Sequence, residues 1–147
     1  MEADELIALA RRIAEAAIAG RPIELQTRSA PELPVLFVDR LQIELILRNL
    51  LANAVDSVAT QARGGRITIA AEPRGDAQVC IAVIDSGPGP APSVRERLFE
   101  PFVSGKPTGM GLGLAVSRAI AEGHGGSLEA PQSGCGEFHL VLPCVRS

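Results

Sequence analysis

The chain has no tryptophan and no tyrosine, and four phenylalanines make up its whole aromatic content. Any core must therefore be aliphatic, and apolar residues at 46% of the chain supply enough material for one. Cysteine is sparse. Cys80, Cys135 and Cys144 stand in neither CxxC nor metal-ligand spacing, which excludes a disulfide framework or a zinc ribbon and points to reduced structural thiols. There is no basic excess either: 14 Lys and Arg face 17 Asp and Glu, a formal net charge of −3, so the electrostatic basis of a nucleic-acid surface is missing. No apolar run approaches the ~20 residues of a membrane-spanning helix. The acidic opening Met1-Glu2-Ala3-Asp4-Glu5 does not resemble a secretory signal. These absences predict a cytoplasmic domain that binds neither nucleic acid nor membrane. No internal repeat or low-complexity tract is present, and 147 residues suit about one domain.

What is present centres on residues 39–61, which read as one helix. Asp39 followed by Gln42 is a capping-box pair. Ile43, Ile46, Leu47, Leu50, Ala54 and Val58 then recur at spacings of three and four, an apolar stripe for a core. Asn49, Asn53 and Asp56 follow the same spacing on a neighbouring face. Their amide oxygens suit a hard cation, and they equally suit a solvated helix surface.

Around this helix the chain alternates between helical and strand-like segments. Residues 3–19 carry Leu6, Ala10, Ile13 and Ala17 at helical spacing and close at Gly20. Residues 23–28 alternate as a strand through Ile23 and Leu25. Pro31 and Pro34 bracket a loop, and residues 35–39 predict a short buried strand. Residues 66–72 and 78–85 predict a hairpin with Ile67, Ile69, Val79, Ile81 and Val83 facing one way. Residues 86–113 are rich in Gly and Pro, with one short helix expected over 93–98. A span of this kind inside a small domain suits a lid or binding loop. Residues 111–123 return to helical spacing through Leu112, Ala115, Val116, Ala119 and Ile120, and residues 126–130 and 136–143 predict a closing pair of strands. The pattern predicts an α+β fold: a two-layer α/β sandwich with a mixed, mostly antiparallel sheet of about five strands and about three helices on one face.

Two glycine-bearing stretches carry chemistry. Ile84-Asp85-Ser86-Gly87-Pro88-Gly89 ends a strand with a carboxylate, an acceptor for an exocyclic amine, and with glycines that let a ligand approach the backbone. By itself the stretch is equally a turn. Gly109-Met110-Gly111-Leu112-Gly113-Leu114 opens a helix, where free N–H groups suit phosphate oxygens, and Lys106 lies just upstream. The spacing is not the GxGxxG of a dinucleotide fold, and no GxxxxGK[ST] occurs.

In the order amide helix, DxGxG strand end, loop and GxGxG helix, the chain resembles the catalytic and ATP-binding domain of sensor histidine kinases. That domain belongs to the wider superfamily of the Bergerat fold that includes gyrase, Hsp90 and MutL. Residues 49–54, NLLANA, look like its N box, DSGPG its G1 box, LFEPFVSGK its F box with the start of the lid, and GMGLGL its G2 box. The EGHGGSLEA that follows is also similar, and the short lid resembles the oxygen- and nitrogen-sensing branch. The likeness runs from about Gly20 to Pro143. It implies ATP and Mg²⁺ as cofactors, with Asn53 on the metal and Asn49 beside it. It further implies Asp85 as acceptor for the adenine amine and Gly87 and Gly89 shaping the base pocket. Lys106, Gly109, Met110, Gly111, Leu112, Gly113 and Leu114 would then cradle the phosphates, and Phe99 and Phe102 would pack the base of the lid.

In the gyrase-like ATPases and the anti-sigma serine kinases a Glu four residues before the metal Asn acts as general base. Here that position is Asn49, which cannot take a proton. The resemblance therefore implies slow hydrolysis and transfer of the ATP γ-phosphoryl group to a histidine elsewhere, with Asn49, Asn53 and Lys106 serving catalysis. The two histidines, His124 in a turn and His139 in a strand, do not lie in an acceptor-type helix. The expectation is an N-terminal helix over 1–20 leading in from a separate dimerisation and phosphoacceptor domain, then a catalytic domain over 21–147. The implied partners are that domain of the same parent, which can be membrane-anchored, and a response regulator; the isolated domain is expected to be monomeric. A nucleotide-binding module or pseudokinase without phosphotransfer is the competing reading, and an anti-sigma-type serine kinase is disfavoured by Asn49.

Overall fold

The computed structural model describes residues 1–59, 64–88, 98–100, 113–131 and 135–144. Its elements follow in the order α1 (Ala3–Ile18), β1 (Glu24–Ser29), α2 (Arg40–Ala59), β2 (Arg66–Arg74), β3 (Gln78–Asp85), α3 (Gly113–Gly123), β4 (Ser127–Glu129) and β5 (Gly136–Pro143). The five strands form one sheet in the order β1-β2-β3-β5-β4. β1 runs parallel to β2, and the remaining pairs are antiparallel. The three helices pack on one face of that sheet, with α2 touching both α1 and α3. This is the α+β two-layer sandwich that the alternation of periodicities predicts.

α2 forms because its apolar positions keep one face through five turns. Ile43, Ile46, Leu47, Leu50, Leu51, Ala54, Val55 and Val58 are all buried. Its first turn is capped by Asp39, whose Oδ1 accepts the Gln42 N–H at 3.1 Å. Facing it, the sheet contributes Ile67, Ile69 and Ala71 from β2, Val79, Ile81 and Val83 from β3, and Phe138, Leu140 and Leu142 from β5. Alternation at period two puts these on the helix side. α1 joins the same core through Leu6, Leu9, Ala10, Ile13 and Ala14. The β2–β3 hairpin turns at Gly75, whose φ of 66° is the left-handed backbone that favours glycine.

Three expectations need correction. Residues 35–39 are not a strand: Leu36 makes an isolated bridge to Cys144 and is buried, while Phe37 is 75% exposed. Its backbone bonds to Met1 on one side and to Pro143 on the other, but these contacts do not extend into a ladder, so it stays irregular. Ala17 is exposed; Leu6, Ala10, Ile13 and Ala14 hold the inner face, and in the last turn it is Ile18, not Ala17, that packs against the core. On α3 the inner face is Leu114, Ser117, Ile120 and Ala121, while Val116 and Ala119 face outward. A buried serine breaks the apolar pattern there, and the misplaced face follows from it. The short helix expected over 93–98 lies outside the described residues apart from Leu98, as do 60–61 and 111–112 of the expected helices. Among the described residues no helix is long and apolar enough to cross a membrane.

His124, just past α3, ties that helix to the start of α2. Its Nε2 accepts the Asp39 N–H at 3.1 Å and its Nδ1 lies 2.8 Å from the Ile120 carbonyl. Both contacts are satisfied only by the neutral tautomer protonated at Nδ1, because a backbone N–H needs an unprotonated ring nitrogen.

On the opposite face of the sheet, Cys80 is buried and its thiol is pushed up to about 11 by burial, with the neighbouring Arg74 guanidinium pulling the other way. A thiol harder to ionise folded than unfolded retains its proton in the native state. Stability is thus fully present below the ordinary thiol value of 9.0 and is lost as pH rises towards about 11. Cys80 is expected to resist alkylation at pH 8 until the fold is opened with denaturant. Trapping by iodoacetamide followed by peptide mass analysis checks this, and rapid native labelling would contradict it.

Candidate functional site

A carboxylate at the end of a buried strand costs stability unless donors surround it. Asp85 ends β3 in register with Ile67 and Gly136, on the helix side of the sheet, and is 5% exposed. Its Oδ1 accepts the Ser57 hydroxyl at 2.9 Å and the Gly87 N–H at 2.8 Å. Two missing side chains make that arrangement possible. A Cβ on Gly87 would come within 2.1 Å of Ser57 Oγ, and one on Gly136 within 2.0 Å of Asp85 Oδ2. Bare backbone on both sides lets α2, the end of β3 and the start of β5 converge.

The same face of α2 that supplies Ser57 carries Asn53 and Asn49 at successive four-residue steps. Asn49 is directed at the first turn of α3. Its Nδ2 donates to the Gly113 carbonyl at 3.3 Å and to Ser117 Oγ at 3.0 Å, and Ser117 is fully buried. Asn53 lies between the two ends, half-buried. Among the described residues no group of three or more His, Cys, Asp and Glu converges.

Of the residues singled out from the sequence, the structure sets Asn49 against Gly113, beside Leu114, and Asp85 with Gly87 at Ser57 two turns further along α2, with Asn53 between them on the helix. Leu114 packs against the core. Gly89, Lys106, Gly109, Met110, Gly111, Leu112 and Phe102 lie outside the described residues. Phe99 sits edge-on to Phe138 with ring centroids 6.4 Å apart, and the Arg118 guanidinium lies 4.9 Å over its ring. That makes Phe99 a packing residue. Sequence reasoning missed Ser57, Ser117 and Gly136. Signals existed: Ser57 continues the Asn49–Asn53 spacing, and a glycine inside a strand pattern marks close approach.

Ser117→Ala should leave the Asn49 amide with one acceptor and destabilise the domain by about 1 kcal/mol. A denaturant midpoint checks this. An unchanged midpoint would mean that the Asn49–Ser117 bond contributes nothing net.

Residues 38–146 match the family model of the histidine kinase-, DNA gyrase B- and HSP90-like ATPases. The chain is 36% identical over 145 residues to the C4-dicarboxylate transport sensor protein DctS of Rhodobacter capsulatus, covering 97% of this chain and 22% of that protein. It is 42% identical over 128 residues to the alginate biosynthesis sensor protein KinB of Pseudomonas aeruginosa, covering 84% of this chain and 21% of that one. The chain thus spans about a fifth of the length of these curated relatives. Among solved structures, a nucleotide-free form of the catalytic domain of histidine kinase ThkA superposes with a TM-score of 0.83 at 29% identity, covering 98% of this chain and 93% of that one.

Proposed function

We propose a function from this premise: the chain belongs to the family of histidine kinase-, DNA gyrase B- and HSP90-like ATPases. ATP binding belongs to that family, and the fold is that of a histidine kinase catalytic domain. The reading is the ATP-binding catalytic domain of a sensor histidine kinase, passing the γ-phosphoryl group to a histidine on another domain. One observation carries it. Along a single face of α2, Ser57 holds the buried Asp85 carboxylate at one end and Asn49 grips the start of α3 at the other. Eight residues at 1.5 Å each separate these two contacts by about 12 Å along the helix.

In this reading Asp85 accepts the adenine amine, with Gly87 and Gly89 lining the base pocket. The phosphates lie towards α3 and meet the N–H groups of 109–114, with Lys106 as their cation. Asn53 would hold Mg²⁺ through its amide oxygen, and the ion would supply positive charge against the phosphates. Asn49 holds the phosphate-side helix in place beside it. Residues 1–20, whose helix α1 packs into the same core, lead in from a dimerisation domain that carries the acceptor histidine, and 21–147 form the body of the catalytic domain. A response regulator is the further partner, and the domain by itself is a cytoplasmic monomer.

Calorimetry with Mg²⁺-ATP, beside a phosphorylation assay with an added acceptor domain, tests this. Saturable binding together with labelled acceptor is expected. Binding without transfer would make the chain a nucleotide-sensing module, and no binding would overturn the reading.

A further inference from the structure

Gly136 opens β5 directly opposite Asp85 in the β3–β5 ladder. A glycine at a buried strand position forfeits packing and costs backbone entropy, so it marks a place where something must come close. Backbone conformation does not demand it. Among the described residues the glycines at positive φ are Gly20, Gly75 and Gly125. Space does demand it. A Cβ at 136 would stand 2.0 Å from Asp85 Oδ2 and 2.5 Å from both Cγ and Oδ1. The carboxylate lies flat over the bare α-carbon, with Oδ1 fixed by the Ser57 hydroxyl and the Gly87 N–H. Two residues further along β5, Phe138 fills the equivalent space with a ring.

We propose that Gly136 is a positioning residue for base selection: its missing side chain lets Asp85 lie where Ser57 and Gly87 hold it. This rests on reading Asp85 as the acceptor of a purine amine. The clashing atoms belong to the end of a side chain rather than to backbone. A methyl group at 136 would therefore rotate Asp85 away instead of breaking the strand. Rotation separates Oδ1 from Ser57 and Gly87 and moves the acceptor away from the base. Phosphate and ribose contacts are untouched, so the damage is confined to ligands that carry the amine.

The test compares ADP with purine riboside diphosphate, which lacks the exocyclic amine, by calorimetry on Gly136→Ala, Asp85→Ala and the double variant. Gly136→Ala should weaken ADP by about ten-fold or more and leave the amine-free ligand within about two-fold. In the Asp85→Ala background the same substitution should change neither ADP affinity nor the melting midpoint. Equal loss for both ligands, or no loss of ADP, overturns the proposal. Unchanged ADP affinity in Asp85→Ala overturns the reading of Asp85 and the proposal with it. A loss in Asp85→Ala without one in Gly136→Ala overturns the proposal alone. Should Gly136→Ala fail to fold, recovery of folding in the double variant would establish the carboxylate as the obstacle, and failure of both would overturn the proposal.

Discussion

Asp85→Asn is expected to weaken adenine nucleotides by about 1.5–3 kcal/mol, roughly ten- to a hundred-and-fifty-fold, while the fold survives. The geometry leaves the amide little choice. The Gly87 N–H can only donate, so whichever atom occupies the Oδ1 position must be an acceptor. The asparagine therefore keeps its oxygen there and places its NH₂ where Oδ2 now lies. A purine amine that reaches for Oδ2 then meets a donor, and a charge-assisted bond becomes a donor pair. Asparagine matches aspartate in shape, so the contacts to Ser57 and the packing over Gly136 persist. Calorimetric titration with ADP, with a thermal melt as control, decides the matter. Equal affinity in a folded variant would remove Asp85 from the base site.

Steady-state hydrolysis by the unmodified domain should be slow, because no carboxylate stands four residues before Asn53. General-base assistance contributes typically ~10²–10⁴-fold, so the shortfall against a dedicated ATPase is of that order. Transfer is expected once a separate domain presents an acceptor histidine with its own neighbouring acid. Asn49→Glu should not restore hydrolysis. The Asn49 amide donates to the Gly113 carbonyl and to Ser117 Oγ, and a carboxylate has no proton for the carbonyl. The variant instead sets a negative charge against that oxygen and loosens the start of α3, at a cost of about 1–3 kcal/mol. A phosphate-release assay and a denaturant melt on both proteins measure these effects. Brisk hydrolysis by the unmodified protein would place it functionally with the ATPases. A stable, hydrolytically active Asn49→Glu would show that the amide's ties to α3 are dispensable.

The pattern of success and failure in the sequence follows the range of the forces involved. α2 was legible because its eight buried residues and the Asp39 cap lie within a few turns of one another. β2 and β3 were legible for the same reason, since period-two alternation and a glycine turn are local features. The segment over 35–39 misled because five apolar and acidic letters cannot show whether a neighbouring strand offers a ladder; here Leu36 meets Met1 and bridges to Cys144 without forming one. α3 misled because its buried face contains Ser117. That hydroxyl accepts from Asn49, 68 residues earlier in the chain.

From the sequence alone came the element types, the aliphatic core, and the ordered amide, aspartate and glycine motifs that resemble an ATP-binding domain. Each is written in spacings of two, three or four residues, which backbone geometry translates directly into faces. The tertiary structure alone decided which atoms hold the site together. Ser57 reaches Asp85 across 28 residues, and Gly136 lies beneath the same carboxylate only because β3 and β5 pair in one register. A slip of one residue in that pairing would turn Gly136 to the opposite face and put a side chain opposite Asp85. Register is set by the packing of the whole sheet against three helices, so it cannot be read from any single segment.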